Sequence, residues 1–205
     1  TLFRSRNYLY LREVPTDNLL GTGATTDFDN FTLGTSNTIV VNTYNDIYAM
    51  ILKANLLIDN VDSADISEDL KKWYKAQAQF LVALGYYDLT SLFGPVVLIT
   101  SSVNDIEAKP SRTSVEKVDQ HIFTLLNEAI PNLEAEESEV LPGAATLGAA
   151  YALKMKLHLR RKEWTNVDET ANQIMQLNQY SFLPNVEDLY TIGNSFNDEI
   201  IFSVK

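Results

Sequence analysis

The chain has 205 residues, of which 45% are hydrophobic and 21% are charged, a composition typical of a globular domain that buries a sizeable core. It carries 16 basic and 27 acidic side chains, and the net charge of -11 makes nucleic acid and anionic lipid poor partners. The absence of cysteine excludes disulfides, thiolate metal sites and cysteine nucleophiles.

Residues 1–41 are predicted to form a loop-rich amino-terminal segment that packs on the helices following it. The stretch 15–41 is dense in Thr, Asn, Asp and Gly, and it holds too few apolar residues for a core element. Long ordered loops commonly carry binding residues, so ligand contacts are expected here first. The first six residues contain no apolar signal core, and we expect a mature or excised chain.

Helical periodicity begins at the end of this loop. Asn42 or Thr43 is expected to cap a first helix that continues to about Asn60. Its apolar side chains fall at helical spacing and predict one buried stripe, made of Tyr44, Ile47, Tyr48, Ile51, Leu52 and Leu56.

A second, longer helix is expected to begin at a Ser67 cap and to end where Gly94 and Pro95 prevent its continuation. Together with the first helix it is expected to form an antiparallel pair. The side chains predicted to face the core include Leu70, Trp73 and Phe80.

Three further helices are predicted over 115–129, 144–161 and 164–177. The last two form the pair that best fits a tetratricopeptide-like repeat, because small residues line one helix and a short turn precedes the other. A plain helical hairpin is the alternative. Residues 42–205 are thus predicted to form a mainly all-α helical-repeat domain, completed by short extended pieces at 180–183 and 200–202.

The segment 80–98 resembles the long apolar helix, Gly-Pro stop and short apolar run of the SusD/RagB family, which comprises outer-membrane glycan-binding lipoproteins. The preceding helix resembles the family's helix in the placement of Tyr44, Tyr48, Ile51, Asn55 and Ile58. Further similar segments follow in the same order at 112–115, 143–164 and 198–204. Five ordered matches over nearly the whole chain favour membership of this family.

The resemblance implies non-catalytic binding of an oligosaccharide or other nutrient at the bacterial outer-membrane surface, with delivery to a SusC-like TonB-dependent transporter and no cofactor. It also implies that this chain is like the amino-terminal helical half, with the carboxy-terminal half of the family absent. Membrane attachment would then come only from a lipid anchor not present in this chain. The alternative is a tetratricopeptide-like scaffold that binds a protein or peptide and no sugar.

One residue just before the segment 80–98 and one within it differ from those that the family commonly has there. Gln77 stands where the family commonly has an acid, and Val82 stands where it commonly has an arginine. Losing two opposed charges together predicts an altered buried polar network rather than a broken one.

Sugar recognition needs flat aromatic faces that stack against pyranose rings, with amides and carboxylates nearby to bond the hydroxyl groups. The polar segment and the start of the following helix supply both kinds of residue. The predicted ligand-binding residues are Asp17, Asn18, Asp27, Phe28, Asn30 and Tyr44. For Phe28 and Phe31, the alternative is that these rings pin the loop to the helices.

Other chemistry has weaker support in the sequence. The Asp27-Phe28-Asp29 run lacks the ligands and glycine of a calcium-binding loop, so no metal site is predicted. His121 and His158 lie on predicted helices without ligand spacing, and a structural or surface role is expected for both. A glycoside hydrolase is disfavoured because no acid pair stands out.

Overall fold

The computed structural model describes residues 6–102, 110–135, 141, 143–191 and 197–203. Within these residues it has seven α-helices and no regular strand, which confirms the all-α prediction. Residues 1–5 of the predicted amino-terminal segment, and Val204 of the last family-like match, lie outside the described residues. The helices are α1 (Arg6–Glu13), α2 (Thr26–Asp29), α3 (Thr38–Asn60), α4 (Glu68–Phe93), α5 (Val115–Ala129), α6 (Leu147–Arg160) and α7 (Trp164–Gln176).

Helix α4 lies at the centre of the fold, in contact with α3, α5 and α6. Its buried face holds Phe80, Tyr86 and Leu89, which pack with fully buried residues of the neighbouring helices. Gly85 lets α3 approach closely, since a Cβ here would lie 2.9 Å from Ile51 Cγ1. The core of the fold is therefore a layer of helices packed on both sides of α4.

Three apolar residues do not lie where the periodicity places them. Leu52 and Leu56 of α3 are 45% and 55% exposed, and Leu70 of α4 is 46% exposed. The buried stripe of α3 runs through Ile47 and Ile51 instead, because the face of a long helix that is covered depends on where its neighbour crosses it. The prediction of an inward-facing Leu52, Leu56 and Leu70 is wrong.

Both ends of α4 follow the prediction. The Ser67 hydroxyl accepts a hydrogen bond from Leu70 N at 3.4 Å, which caps the amino terminus. At the other end Gly94 has a φ of +68° and its N–H donates to Thr90 O at 3.2 Å. The chain then leaves the helix axis at Pro95.

The residues after Pro95 lie across α3 and α4, where side chains supply their hydrogen bonds. Tyr48 Oη donates to Val97 O at 2.6 Å, and Asn55 Nδ2 donates to Ile99 O at 3.1 Å. Tyr86 Oη binds both Ile99 N, at 2.7 Å, and Ile99 O, at 3.0 Å. Burial raises the pKa of Tyr86 to about 12, so its hydroxyl stays protonated at neutral pH.

The hairpin of α6 and α7 is formed as predicted, with its turn at 161–163. Thr146 caps α6 through a hydrogen bond from Ala149 N at 3.2 Å. The small residues of α6 allow a close approach, because a Cβ on Gly148 would lie 2.0 Å from Tyr180 Oη. The segment 180–183 bonds to the residues just before 200–202, through hydrogen bonds from Ser181 N to Asp198 O and from Leu183 N to Glu199 Oε2, both at 3.1 Å.

A buried ion-pair network joins α4, α5 and α6. Arg160 pairs with the carboxylate of Asp119, and its Nη1 also donates to Thr90 Oγ1 at 2.9 Å and to Ser91 Oγ at 3.0 Å. Burial raises the pKa of Asp119, while Arg160 and Arg161 oppose that rise.

Within the described residues, no helix is long and apolar enough to cross a membrane.

Asp119→Ala is expected to lower the free energy of unfolding by about 3 kcal/mol, since it leaves the Arg160 guanidinium without its carboxylate. Chemical denaturation of the purified protein measures this loss. The matched control is Asp62→Ala, which removes the exposed partner of Lys75 and is expected to cost less than about 1 kcal/mol. Equal losses in the two variants would contradict a stabilising role of the buried pair.

Candidate functional site

The amino-terminal segment is more helical than the sequence predicts. Helix α1 packs on α3, and Tyr8 Oη donates to Asp88 Oδ1 of α4 at 2.8 Å. Asp88 is only 3% exposed, so this hydrogen bond ties α1 to the core. Such a short helix is stabilised by its tertiary contacts rather than by its own sequence, which is why residues 1–41 were predicted as loop.

Helix α3 begins at Thr38, ahead of the predicted start at Asn42 or Thr43. Asn37 is the cap, and its Oδ1 accepts hydrogen bonds from Ile39 N at 3.0 Å and Val40 N at 3.4 Å. The β-branched residues that follow favour helix poorly, but burial of Ile39 outweighs that preference. The correction shortens the predicted loop by four residues, as 38–41 are helical.

Phe28 is an anchor in this segment, not a ligand-facing ring. Its side chain is fully buried and packs with Val14 and Ile39 in a small second core. A sugar ring cannot reach a face that is already covered by protein. The prediction of Phe28 as a stacking residue is therefore wrong in this structure, and the alternative of a loop pin describes it.

Phe31, in contrast to the buried Phe28, follows the end of α2 and is 77% exposed. Its N–H donates to Phe28 O at 3.3 Å, and the next residue, Thr32, donates from its N–H to Asp27 O at 2.9 Å. These two bonds form the Schellman motif that ends many helices. The residue in the Phe31 position of that motif is usually glycine, because its φ is positive.

The backbone of Phe31 has a φ of +55°, a left-handed conformation that costs a non-glycine residue about 1–2 kcal/mol. The exposed ring regains none of this cost by burial. Strained residues cluster at functional sites, because selection for stability alone would replace them. Lys162 and Asn178 take the same left-handed φ at the ends of α6 and α7, so this conformation alone marks no site. The 77% exposure of an aromatic ring at this position is what makes Phe31 a candidate binding residue.

Two predicted polar residues share this turn with Phe31. Asp27 and Asn30 are both exposed, and Thr32 Oγ1 donates to Asp27 Oδ1 at 3.4 Å. The residues 27–32, called the Phe31 turn below, thus combine a flat apolar face with a carboxylate and an amide. That combination can stack on a sugar ring and bond its hydroxyl groups.

Asp17 and Asn18 form a separate group in the turn after α1, where both side chains are exposed. They directly precede Leu19 and Leu20, which line a groove of about 620 Å³ together with Tyr10. The structure thus does not place these two residues in the Phe31 turn. They remain predicted ligand contacts.

Tyr44 lies on the first turns of α3 and is half-buried. Its ring packs on Tyr48 with centroids 4.8 Å apart and edge-on against Phe93 at 5.1 Å. It faces a cavity of about 280 Å³, called the Tyr44 cleft below. The other residues lining the cleft are Val40, Val41, Phe93, Pro95, Val96 and Arg112.

Phe31 lies in the segment predicted to bind a ligand, whereas Arg112 was not predicted as a ligand contact. A signal for Phe31 exists, because an aromatic residue after a four-residue helix occupies the place where glycine is expected. Arg112 gave no such signal, since its proximity to Tyr44 depends on tertiary structure.

Among the described residues, no three His, Asp or Glu side chains converge to hold a metal ion.

A family model described as starch-binding and associating with the outer membrane, SusD-like, matches residues 16–159. The chain belongs to the SusD-like family. It is 29% identical over 167 residues to the SusD-like protein P25 of Formosa agariphila, a match that covers 80% of this chain and 32% of that protein. The chain thus spans about a third of the length of this relative.

Solved SusD-like structures share the fold. A SusD-like protein of Bacteroides fragilis superposes with a TM-score of 0.87 at 24% identity, covering 98% of this chain and 41% of that one. A laminarin-binding SusD-like protein superposes with a TM-score of 0.81 at 29% identity, covering 87% of this chain and 40% of that one. The helical architecture described above is therefore that of other SusD-like proteins.

If the Phe31 backbone is strained, the protein with Phe31→Gly is expected to be more stable than the protein with Phe31→Ala by about 1 kcal/mol. Both substitutions remove the ring, but only glycine adopts a positive φ without cost. Chemical denaturation of the two variants measures the difference. Equal stabilities would show that the turn holds no strain at this residue.

Proposed function

We propose that the protein is a non-catalytic glycan-binding protein that captures oligosaccharides at the bacterial outer-membrane surface. The observation that carries the proposal is the Phe31 turn, where an exposed aromatic ring in a strained conformation lies beside Asp27 and Asn30. Aromatic stacking with adjacent hydrogen-bonding groups is the chemistry of sugar recognition. Catalysis is not required for capture.

The family supports this proposal. The matching family model carries the description starch-binding, and one solved relative at 29% identity binds laminarin. Starch and laminarin are neutral glucans, for which a stacking ring and uncharged hydrogen bonds suffice. These properties belong to the relatives, and the Phe31 turn gives a physical reason to extend them to this chain.

The proposed partner is a SusC-like TonB-dependent transporter, to which the captured oligosaccharide is delivered. A lipid anchor at the cell surface would hold the protein beside that channel. Helical repeats present broad surfaces that suit protein docking. Co-purification with a transporter from outer membranes would support the partnership, whereas recovery of a soluble peptide partner alone would support the scaffold alternative.

Phe31→Ala is expected to weaken binding of a neutral glucan oligosaccharide about tenfold or more, because burying an aromatic ring contributes about 1.5–3 kcal/mol. Isothermal titration calorimetry with laminarin and maltodextrin oligosaccharides measures the affinity. The matched control is Phe182→Ala, which removes a ring that is 89% exposed outside the Phe31 turn and is expected to leave binding unchanged.

Two results would contradict the proposal. Absence of binding heat for every oligosaccharide of a broad neutral and acidic panel would remove glycan capture as the function. Equal binding by the unaltered protein and the Phe31→Ala variant would remove the Phe31 turn as the site. Thermal unfolding of each variant checks that the fold is retained.

A further inference from the structure

The Tyr44 cleft has walls that suit one face of a sugar ring. Tyr44 and Phe93 pack edge-on, and Val40, Val41 and Pro95 complete an otherwise apolar lining. The cavity of about 280 Å³ is close to the lower end of small-molecule pockets, which begin at about 300 Å³. It is therefore of a size for a single ring rather than for a long chain segment.

Arg112 supplies the charge at the edge of this cleft. The segment that carries it is held by an antiparallel bridge, in which Thr113 N donates to Val96 O at 2.7 Å. That bridge places Arg112 beside Pro95 and Val96, which also line the cleft. The backbone of the segment that carries Arg112 is thus held beside the cleft.

The guanidinium group of Arg112 is exposed and has no acceptor among the residues that the structure describes. Other arginines of the chain are engaged: Arg160 pairs with Asp119, and Arg161 Nε donates to Glu163 Oε1 at 2.7 Å. Among the described residues, no acidic side chain lines the cleft, and the first turn of α3 carries none. The described lining of this cleft therefore carries one positive charge and no negative one, in a chain of net charge -11.

A guanidinium group binds a carboxylate through two parallel N–H···O bonds, which give both geometry and charge complementarity. Aromatic and apolar walls bind the C–H face of a pyranose ring. The two requirements meet in a sugar that carries its charge on the ring. A sulfate ester presents oxygen atoms of the same kind to arginine.

We propose that the Tyr44 cleft binds an anionic sugar residue, a uronate, with its ring against Tyr44 and Phe93 and its carboxylate on Arg112. This inference rests on the proposed glycan-binding function and names a substrate class for it. It also assigns ligands of different charge to the two surfaces. The Phe31 turn, which carries Asp27, suits neutral sugars, whereas the Tyr44 cleft selects for a negative one.

The test compares acidic oligosaccharides with neutral counterparts by isothermal titration calorimetry on the purified protein. The probes are a tetragalacturonate, a glucuronate-containing oligosaccharide and a sulfated galactan tetrasaccharide, each beside its carboxyl-reduced or desulfated form. We expect at least one uronate probe to bind at least tenfold more tightly than its neutral form. The preference is expected to weaken as salt is raised, because it depends on an exposed charge.

Arg112→Gln is expected to abolish this preference, because it removes both the charge and the paired N–H donors. The matched control is Lys156→Gln, which removes the same charge from an exposed position on α6. It is expected to preserve the preference. Arg112→Lys keeps the charge but not the paired donors, and an intermediate preference is expected.

The outcomes separate this inference from the function on which it rests. Neutral oligosaccharides that bind through Phe31, with no preference for any acidic form, would overturn the inference and retain the function. A preference that survives Arg112→Gln would overturn the assignment to this cleft. A preference for the sulfated probe alone would replace the uronate by a sulfated sugar, and no binding of any probe would overturn both proposals.

Discussion

The conformation of Gly94 is the constraint on which the candidate cleft depends. A φ of +68° with a ψ of -132° is accessible essentially to glycine alone, although a Cβ at this position would meet nothing within 4 Å. The requirement is thus one of backbone conformation, not of space. Gly94 turns the chain back across α3 and α4, where Tyr48 and Asn55 of α3 and Tyr86 of α4 supply the hydrogen bonds that a strand partner would otherwise supply. The bridge between Val96 and Thr113 on that path holds the segment of Arg112 beside the cleft that Tyr44 lines.

In the amino-terminal segment, Phe28 is a buried anchor, whereas Phe31, three residues later, is exposed. Phe28 is buried against Val14 and Ile39, which fixes the short helix α2 on the body of the fold. The fixed helix then determines where its stop lies, and so where the ring of Phe31 is exposed. A flexible loop would lose binding free energy to ordering when it met a ligand. The anchor at Phe28 reduces that cost, because α2 is already held in place.

Periodicity, caps and breakers predicted the helices from α4 onward, because those signals are local. The start of α3 was misplaced, since its first turn is β-branched and its helicity depends on burial of Ile39. For the same reason, sequence alone could name a polar, aromatic segment as a binding region but could not tell Phe28 from Phe31.

Gln77, which stands where the family commonly has an acid, shows what the structure adds to the sequence. Its amide both donates to Ala145 O at 2.8 Å and accepts from Ala145 N at 2.7 Å, which a carboxylate cannot do, while Val82 is fully buried.

A net charge of -11 and a cleft for an anionic sugar are compatible because they act over different distances. At physiological ionic strength, charges separated by more than about 8 Å are largely screened, so the overall field acts mainly on ligands that span many charges. A nucleic acid needs many cations along one surface and finds few here. A single uronate needs one guanidinium group and a ring-sized wall, which Arg112, Tyr44 and Phe93 provide together. The same composition that disfavours nucleic acid therefore leaves room for a contact with a single anionic group, whose strength depends on the local geometry of the Tyr44 cleft.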